Sequence, residues 1–123
     1  MFFSIVIPTY NRLPILQKCV RALEIQTFDP QIVTDYEIVV VDDGSTDGTI
    51  AWLNHNTTEL AHVKVYEQAH QGASAARNLG VERAVGDTII FIDSDLVVTA
   101  TFLQSHAEAL LAGHKTQIGR AHV

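Results

Sequence analysis

Apolar residues recur along the chain at two different periods, and stretches of the two kinds alternate. Phe3 to Ile7 (FSIVI), Ile38 to Val41 (IVVV) and Thr88 to Ile92 (TIIFI) are short, nearly unbroken apolar runs rich in β-branched residues. Such runs predict strands buried on both faces. His62 to Glu67 (HVKVYE) alternates instead, which predicts a less buried strand at a sheet edge. Pro8 is expected to end the first strand by removing a ladder donor. Between the strands the spacing turns helical. Leu16, Cys19, Val20 and Leu23 stand at i, i+3, i+4 and i+7, one stripe for packing on a sheet. Asn11 is placed to cap that helix, with Pro14 in its first turn. Gln26 to Thr34 reads as a loop. Ser45 or Asp47 is expected to cap a short second helix that carries Ile50 and Leu53 inward. Gly72 to Val85 predicts a third helix, in which Ala73, Ala76 and Gly80 allow close approach to the sheet. Phe102 to Ala112 predicts a fourth, with Phe102, Leu103, His106 and Leu110 on one side. The order β-α-β-α-β-α-β-α predicts an α/β fold with a parallel sheet and right-handed crossovers.

The polar positions that interrupt this pattern collect at strand ends. Thr9-Tyr10-Asn11, Asp42-Asp43-Gly44 and Asp93-Ser94-Asp95 follow three of the four strands. In an open parallel sheet those ends share one edge, and ligands bind there where the strand order reverses. Singly, each cluster has an ordinary reading, as turn or capping residues. Together they predict a functional edge. Asp93 and Asp95 are two apart, so in extended chain both carboxylates project to one side and reach one ion. Their oxygens suit Mg²⁺ or Mn²⁺. Arg77 and Asn78 lie within the third helix, where Arg77 is either a solvated face residue or, near the helix N-terminus, a phosphate ligand. Tyr10 either packs or stacks on a base.

Composition narrows the setting. The 123 residues suit one domain, and 47% hydrophobic with 18% charged residues describes a folded chain. A formal net charge of −6 argues against a nucleic-acid partner. A phosphate-rich ligand would need a local positive source: an arginine, a helix N-terminus or a metal ion. Cys19 is the sole cysteine and falls on an amphipathic stripe, which predicts a small core residue and no intrachain disulfide. The six histidines show no metal-ligand spacing, so zinc is not expected. No run approaches the ~18 apolar residues of a membrane span. Met1 to Ile7 lacks a basic leader and meets Pro8 too early to be expected as a signal peptide.

FSIVIPTYNR, EIVVVDDGSTDGT, QGASAARNLGVERAVGD and TIIFIDSDL, in that order over nearly all of Phe3 to Gly113, closely resemble the nucleotide-sugar half of family 2 glycosyltransferases. The resemblance implies a Rossmann-like GT-A fold. It also implies transfer of a sugar from a nucleotide-sugar, of uridine type, to the hydroxyl of a glycan, lipid or protein acceptor, with inversion. By the same resemblance, Pro8, Thr9 and Tyr10 would line the nucleoside pocket, and Asp43 would bind the base with Asp42 beside it. Arg77 and Asn78 would lie by the ribose and diphosphate. Asp93 would approach the ribose or metal, and Asp95 would hold the divalent cation, Mn²⁺ or Mg²⁺. An inverting reaction also needs a carboxylate general base. None is assigned, and Glu108, the late acid, matches no motif. The implied location is the cytoplasm, where nucleotide-sugars are made, with membrane association of a longer parent left open.

Two other functions fit the pattern less well. Nucleotidyl transfer usually brings a Gly-rich basic loop after the first strand, and Thr9 to Leu13 contains no glycine. A non-catalytic, receiver-like metal module would need a late lysine after a strand, and Lys115 follows none. Residues 1–117 are thus expected to be a partial, donor-binding glycosyltransferase domain, inactive and poorly soluble alone. Ile118 to Val123 (IGRAHV) resemble a translated sequencing adapter and are expected to be a non-native tail joined near Gln117.

Overall fold

Eight elements alternate along the chain in the computed structural model, which describes residues 1–113. They are β1 (Phe2–Thr9), α1 (Leu13–Glu24), β2 (Asp35–Asp42), α2 (Thr49–His55), β3 (Val63–Glu67), α3 (Ala73–Arg83), β4 (Thr88–Phe91) and α4 (Phe102–Leu111). The strands form one sheet in the order β3-β2-β1-β4, every neighbouring pair parallel. The chain steps from β1 through β2 to β3 on one flank, then returns to add β4 on the other. Strand order therefore reverses between β1 and β4, the arrangement that opens a crevice at the carboxyl ends of a parallel sheet. β3 occupies an edge, as its alternating pattern predicts.

The unbroken apolar runs are explained by two cores, one on each face. Phe3, Ile5 and Ile7 of β1 and Ile38 and Val40 of β2 pack with Leu16, Cys19, Val20 and Leu23 of α1, Leu53 of α2, and Leu103 and Ala107 of α4. The intervening Val6, Val39 and Val41 face the other way, against Ala76 of α3. The whole predicted α1 stripe is fully buried. On α4, Leu103 and Ala107 are the buried pair, while His106 lies half-buried at the margin. α3 approaches closely because Gly80 has no side chain: a Cβ there would lie 2.4 Å from Val6 Cγ1.

Several local expectations are corrected. β1 does not stop at Pro8 but runs on to Thr9. Thr9 O accepts from Asp43 N–H at 2.9 Å and Val6 O from Ile92 N–H at 3.1 Å, so odd-numbered residues of β1 bond to β2 and even-numbered ones to β4. Pro8 thus turns its missing N–H toward β4, whose last residue, Phe91, is already paired with Val6. The ladder to β4 therefore ends there, while the ladder to β2, which needs no donor from Pro8, runs on to Thr9.

Asn11 does not cap α1. It adopts φ 49°, and Arg12 is the N-cap, without a side-chain capping bond. Neither Ser45 nor Asp47 is the N-cap of α2, which is Gly48. Asp47 instead accepts from Thr49 N–H at 3.2 Å and, through its other oxygen, from Leu13 N–H at 3.0 Å. A carboxylate from the β2–α2 loop therefore satisfies the first residue of α1. The expected junction at Gln117 and the tail after it lie outside the described residues.

Candidate active site

A cleft of about 360 Å³ opens where the strand order reverses. β1 contributes Pro8, Thr9 and, just beyond its end, Tyr10; the turn into α1 adds Arg12. Asp43 reaches in from the end of β2, Ala73 and Arg77 from α3, and Asp93, Ser94 and Asp95 from the exit of β4. Seven of the predicted site residues are thus brought to one place: Pro8, Thr9, Tyr10, Asp43, Arg77, Asp93 and Asp95. Asp42 and Asn78 do not line the cleft, Asn78 being exposed on α3.

Asp42 and Asp43 are neighbours with opposite assignments because adjacent strand residues face opposite ways. Asp42 is buried, and its two oxygens accept from Ser45 N–H at 3.0 Å and Ser45 Oγ at 2.6 Å. It shapes the turn. That turn in turn grips the β1 exit: Asn11 N–H donates to Ser45 Oγ at 2.8 Å, and Thr46 N–H to Asn11 Oδ1 at 2.7 Å. The left-handed Asn11 and the Gly-Ser-Thr-Asp run therefore hold the two loops together and present Tyr10 to the cleft.

Asp43 is 4% exposed and its carboxylate accepts three hydrogen bonds. Gln68 Nε2 at 2.8 Å and Gln71 N–H at 2.7 Å reach Oδ1, and Gly72 N–H at 3.0 Å reaches Oδ2. His70 Nδ1 stands 2.9 Å from Oδ2 as an ion-pair neighbour, its hydrogen bond being to Asp43 O at 3.2 Å. Burial alone pushes its acidity down, but these hydrogen bonds and the facing His70 outweigh it and hold the carboxyl below the usual range. Gly72 makes its bond at φ 100° and ψ 166°, a backbone state open essentially to glycine alone. The same glycine is the N-cap of α3, so the acid, the loop and the helix start are one connected unit. Thr9 Oγ1, on the opposite wall, is buried and makes no hydrogen bond among the described residues.

Asp93 and Asp95 differ from the expected geometry. β4 has ended by Phe91, and Leu96 N–H closes a turn onto Asp93 O at 3.1 Å, so the triplet is not extended. Both acids still line the cleft, through turn geometry rather than strand alternation. Both are exposed, with Arg77 Nη2 3.6 Å from Asp93 Oδ1. Hard carboxylate oxygens at a solvent-open lip fit Mg²⁺ or Mn²⁺, which keep positions for water and phosphate oxygens. No cluster of three or more His, Cys, Asp or Glu that would cage an ion occurs among the described residues. The donor set therefore suits a cation shared with a ligand. Beneath this turn lies Cys19, its Sγ 4.0 Å from Asp93 O. Burial and the charge of Asp95 push that thiol up to about 12, leaving it protonated and inert.

Ala73 and Arg77 are i and i+4 on α3 and share its cleft face. The first turn of α3 adds the positive end of its dipole to the two arginines, opposite three carboxylates. This is the local positive source that an acidic chain needs for a phosphate ligand. Sequence reasoning missed Arg12 and Ala73 on the lining, and Gln68, His70 and Gln71 behind Asp43, while Ser94 lines the cleft as part of its predicted triplet. Arg12 was within reach of the pattern, since it follows Tyr10-Asn11 at a strand exit. The 68–71 contacts carry no periodic signal.

The family model for glycosyl transferase family 2 matches residues 4–121. The chain is 35% identical over 102 residues to the uncharacterized glycosyltransferase YibD of Escherichia coli, a match covering 83% of this chain and 28% of that protein. Among solved structures, Staphylococcus aureus TarS 1–349 in complex with UDP superposes with a TM-score of 0.77 and 30% identity, over 91% of this chain and 32% of that one. A Pyrobaculum calidifontis mannosyltransferase in complex with GDP-Man and Mn²⁺ superposes with a TM-score of 0.70 and 25% identity, over 88% and 31%. The chain thus spans about a third or less of the length of each.

Proposed function

Because the chain belongs to glycosyl transferase family 2, with the GT-A fold that its sheet and relatives share, we propose that the cleft is the donor site of a sugar transferase. The observation that carries this reading is the meeting of Tyr10, Asp43, Arg77, Asp93 and Asp95 in one crevice at the strand-order reversal. The donor is a nucleotide-sugar of uridine type. Its base stacks on Tyr10 and donates to Asp43, between Pro8 and Thr9 on one side and the start of α3 on the other. Arg77 and the α3 N-terminus face its diphosphate. The complexes of TarS with UDP and with UDP-GlcNAc support a uridine nucleotide.

Asp95, with Asp93, would hold a divalent cation, Mn²⁺ or Mg²⁺. Such an ion, when bound, stabilises the charge that develops on the nucleoside diphosphate as the sugar–phosphate bond breaks. The Mn²⁺ in the mannosyltransferase complex supports a cation in this fold. Arg77, ion-paired with Asp93, links the metal-side acids to the phosphate-side cation, so that the two are placed together. Attack by an acceptor hydroxyl from the opposite face of the sugar would invert the anomeric carbon. Glu108 stands exposed on α4 and does not line the cleft. Acceptors of the parent would be a glycan, lipid or protein, with a cytoplasmic site of action.

The test is calorimetric titration of UDP with and without Mn²⁺ into wild type and Asp95→Ala. UDP binding that Mn²⁺ strengthens in wild type and not in Asp95→Ala is the expected result. UDP binding insensitive to Mn²⁺ in both proteins removes the cation assignment, and absence of UDP binding removes the donor-site reading.

A further inference from the structure

His70 belongs to no motif that predicted the site, yet its side chain is placed where the proposed base should go. Its ring stacks on Tyr10, centroids 4.2 Å apart and planes 28° from parallel. Its Nδ1 lies 2.9 Å from Asp43 Oδ2 and 3.2 Å from Asp43 O. One small heteroaromatic ring thus occupies both places required of a nucleobase, against the tyrosine and beside the aspartate. A base inserted between the two rings would need roughly twice a stacking distance, or about 7 Å. Asp43 is crowded as well: three hydrogen-bond donors hold its oxygens, and His70 Nδ1 stands at ion-pair distance from Oδ2. Two of those donors are backbone N–H groups and a third is the half-buried Gln68. Only the His70 side chain, 62% exposed, is free to leave.

We propose that His70 is a built-in competitor that occupies the base subsite and must swing out before the donor binds. The proposal rests on the donor-site reading above. It makes apparent affinity equal to intrinsic affinity reduced by the fraction of molecules with His70 displaced.

The experiment titrates UDP, with Mn²⁺ present, into the full chain at pH 7.5, using wild type, His70→Ala and His70→Asn. His70→Ala should bind on the order of fivefold to tenfold more tightly than wild type. His70→Asn, which keeps a polar side chain but no ring to stack on Tyr10, should also bind more tightly than wild type. Equal or weaker binding by His70→Ala would show that His70 does not compete with the base and overturn the proposal. If none of the three proteins binds UDP, the donor-site reading fails and takes this inference with it.

Discussion

Replacing Asp43 by Asn changes one oxygen to an amide and almost nothing in shape, yet the structure makes that change expensive. Oδ1 accepts from Gln68 and Gln71, and Oδ2 from Gly72, with His70 beside it at ion-pair distance. Whichever way the amide turns, its NH₂ opposes at least one of these donors. The cheaper choice sets NH₂ against Gly72 N–H, because only one hydrogen bond is lost and the exposed histidine can move aside. The loss is then one charge-assisted backbone bond, about 2 kcal/mol, and an exposed ion pair of less than about 1 kcal/mol. Asp43→Asn should therefore destabilise the fold by about 2–3 kcal/mol. Urea unfolding followed by the fluorescence of Trp52, the single tryptophan, reads this as a midpoint lowered by roughly 1.5–2 M.

The cost should also depend on pH with a defined sign. The folded carboxyl is held below its ordinary range, so its contribution is fully present above the unfolded value and fades as pH falls through the folded one. The gap between wild type and Asp43→Asn should accordingly narrow below about pH 4. UDP binding should be lost in the variant at every pH. A variant as stable as wild type that still binds UDP would refute both the pinning of the 68–72 loop and the base assignment.

Gly80→Ala should cost about 1 kcal/mol, because crowding against Val6 Cγ1 exceeds the roughly 1 kcal/mol gain in helix propensity. Val6→Ala should relieve that added cost in a double-mutant cycle of unfolding free energies, and additive effects would count against a contact between α3 and β1 at this point. Glu37, 2% exposed in β2, is pushed up by burial but held below its usual range by Ser4 Oγ at 2.5 Å, Val85 N–H at 2.7 Å and Lys64 Nζ at 3.0 Å. Its stabilisation should be complete above its unfolded value and drain away on acidification, so Tm measured from pH 6 to 3 should fall more steeply in wild type than in Glu37→Gln. Cys19, buried and raised to about 12, should react with a thiol reagent on the order of a hundredfold more slowly than free cysteine until urea opens the fold. Fast labelling of the native protein would place the thiol outside the core.

The fold was legible because burial imposes period. Apolar runs with no polar face announced strands covered by helices on both sides, and the α1 stripe of Leu16, Cys19, Val20 and Leu23 needed only the 3.6-residue repeat. What escaped was chemistry without period. Pro8 looks like a strand end in any local reading, and only its side of the β1 ladder explains why the strand continues: it faces β4, and the bonds to β2 run on without it. Asp47 looks like a cap for the helix that follows it, whereas its second oxygen serves Leu13, 34 residues earlier in the chain. Capping preferences describe which side chains accept backbone donors; they are silent on which helix, when two loops lie together at one sheet edge.

The site divides along the same line. Tyr10, Asp43, Arg77, Asp93 and Asp95 could be nominated because a parallel sheet gathers its strand exits, and that topology follows from the order of elements. The pairing of Asp42 with Asp43 shows how far such nomination goes. Strand alternation dictates that only one of two adjacent acids faces a given side, but choosing between them requires knowing where Ser45 and the 68–72 loop lie. Asp42 is consumed by its own turn, and Asp43 is presented to the cleft by donors some 25 to 29 residues away. Those donors make Asp43 a fixed, ionised acceptor, and with His70 at ion-pair distance they also crowd it. A carboxylate crowded in this way accepts a ligand's N–H by displacing one of its neighbours. The same contacts that prepare the acid for recognition therefore set the threshold a ligand must cross, and His70 is where that threshold is lowest.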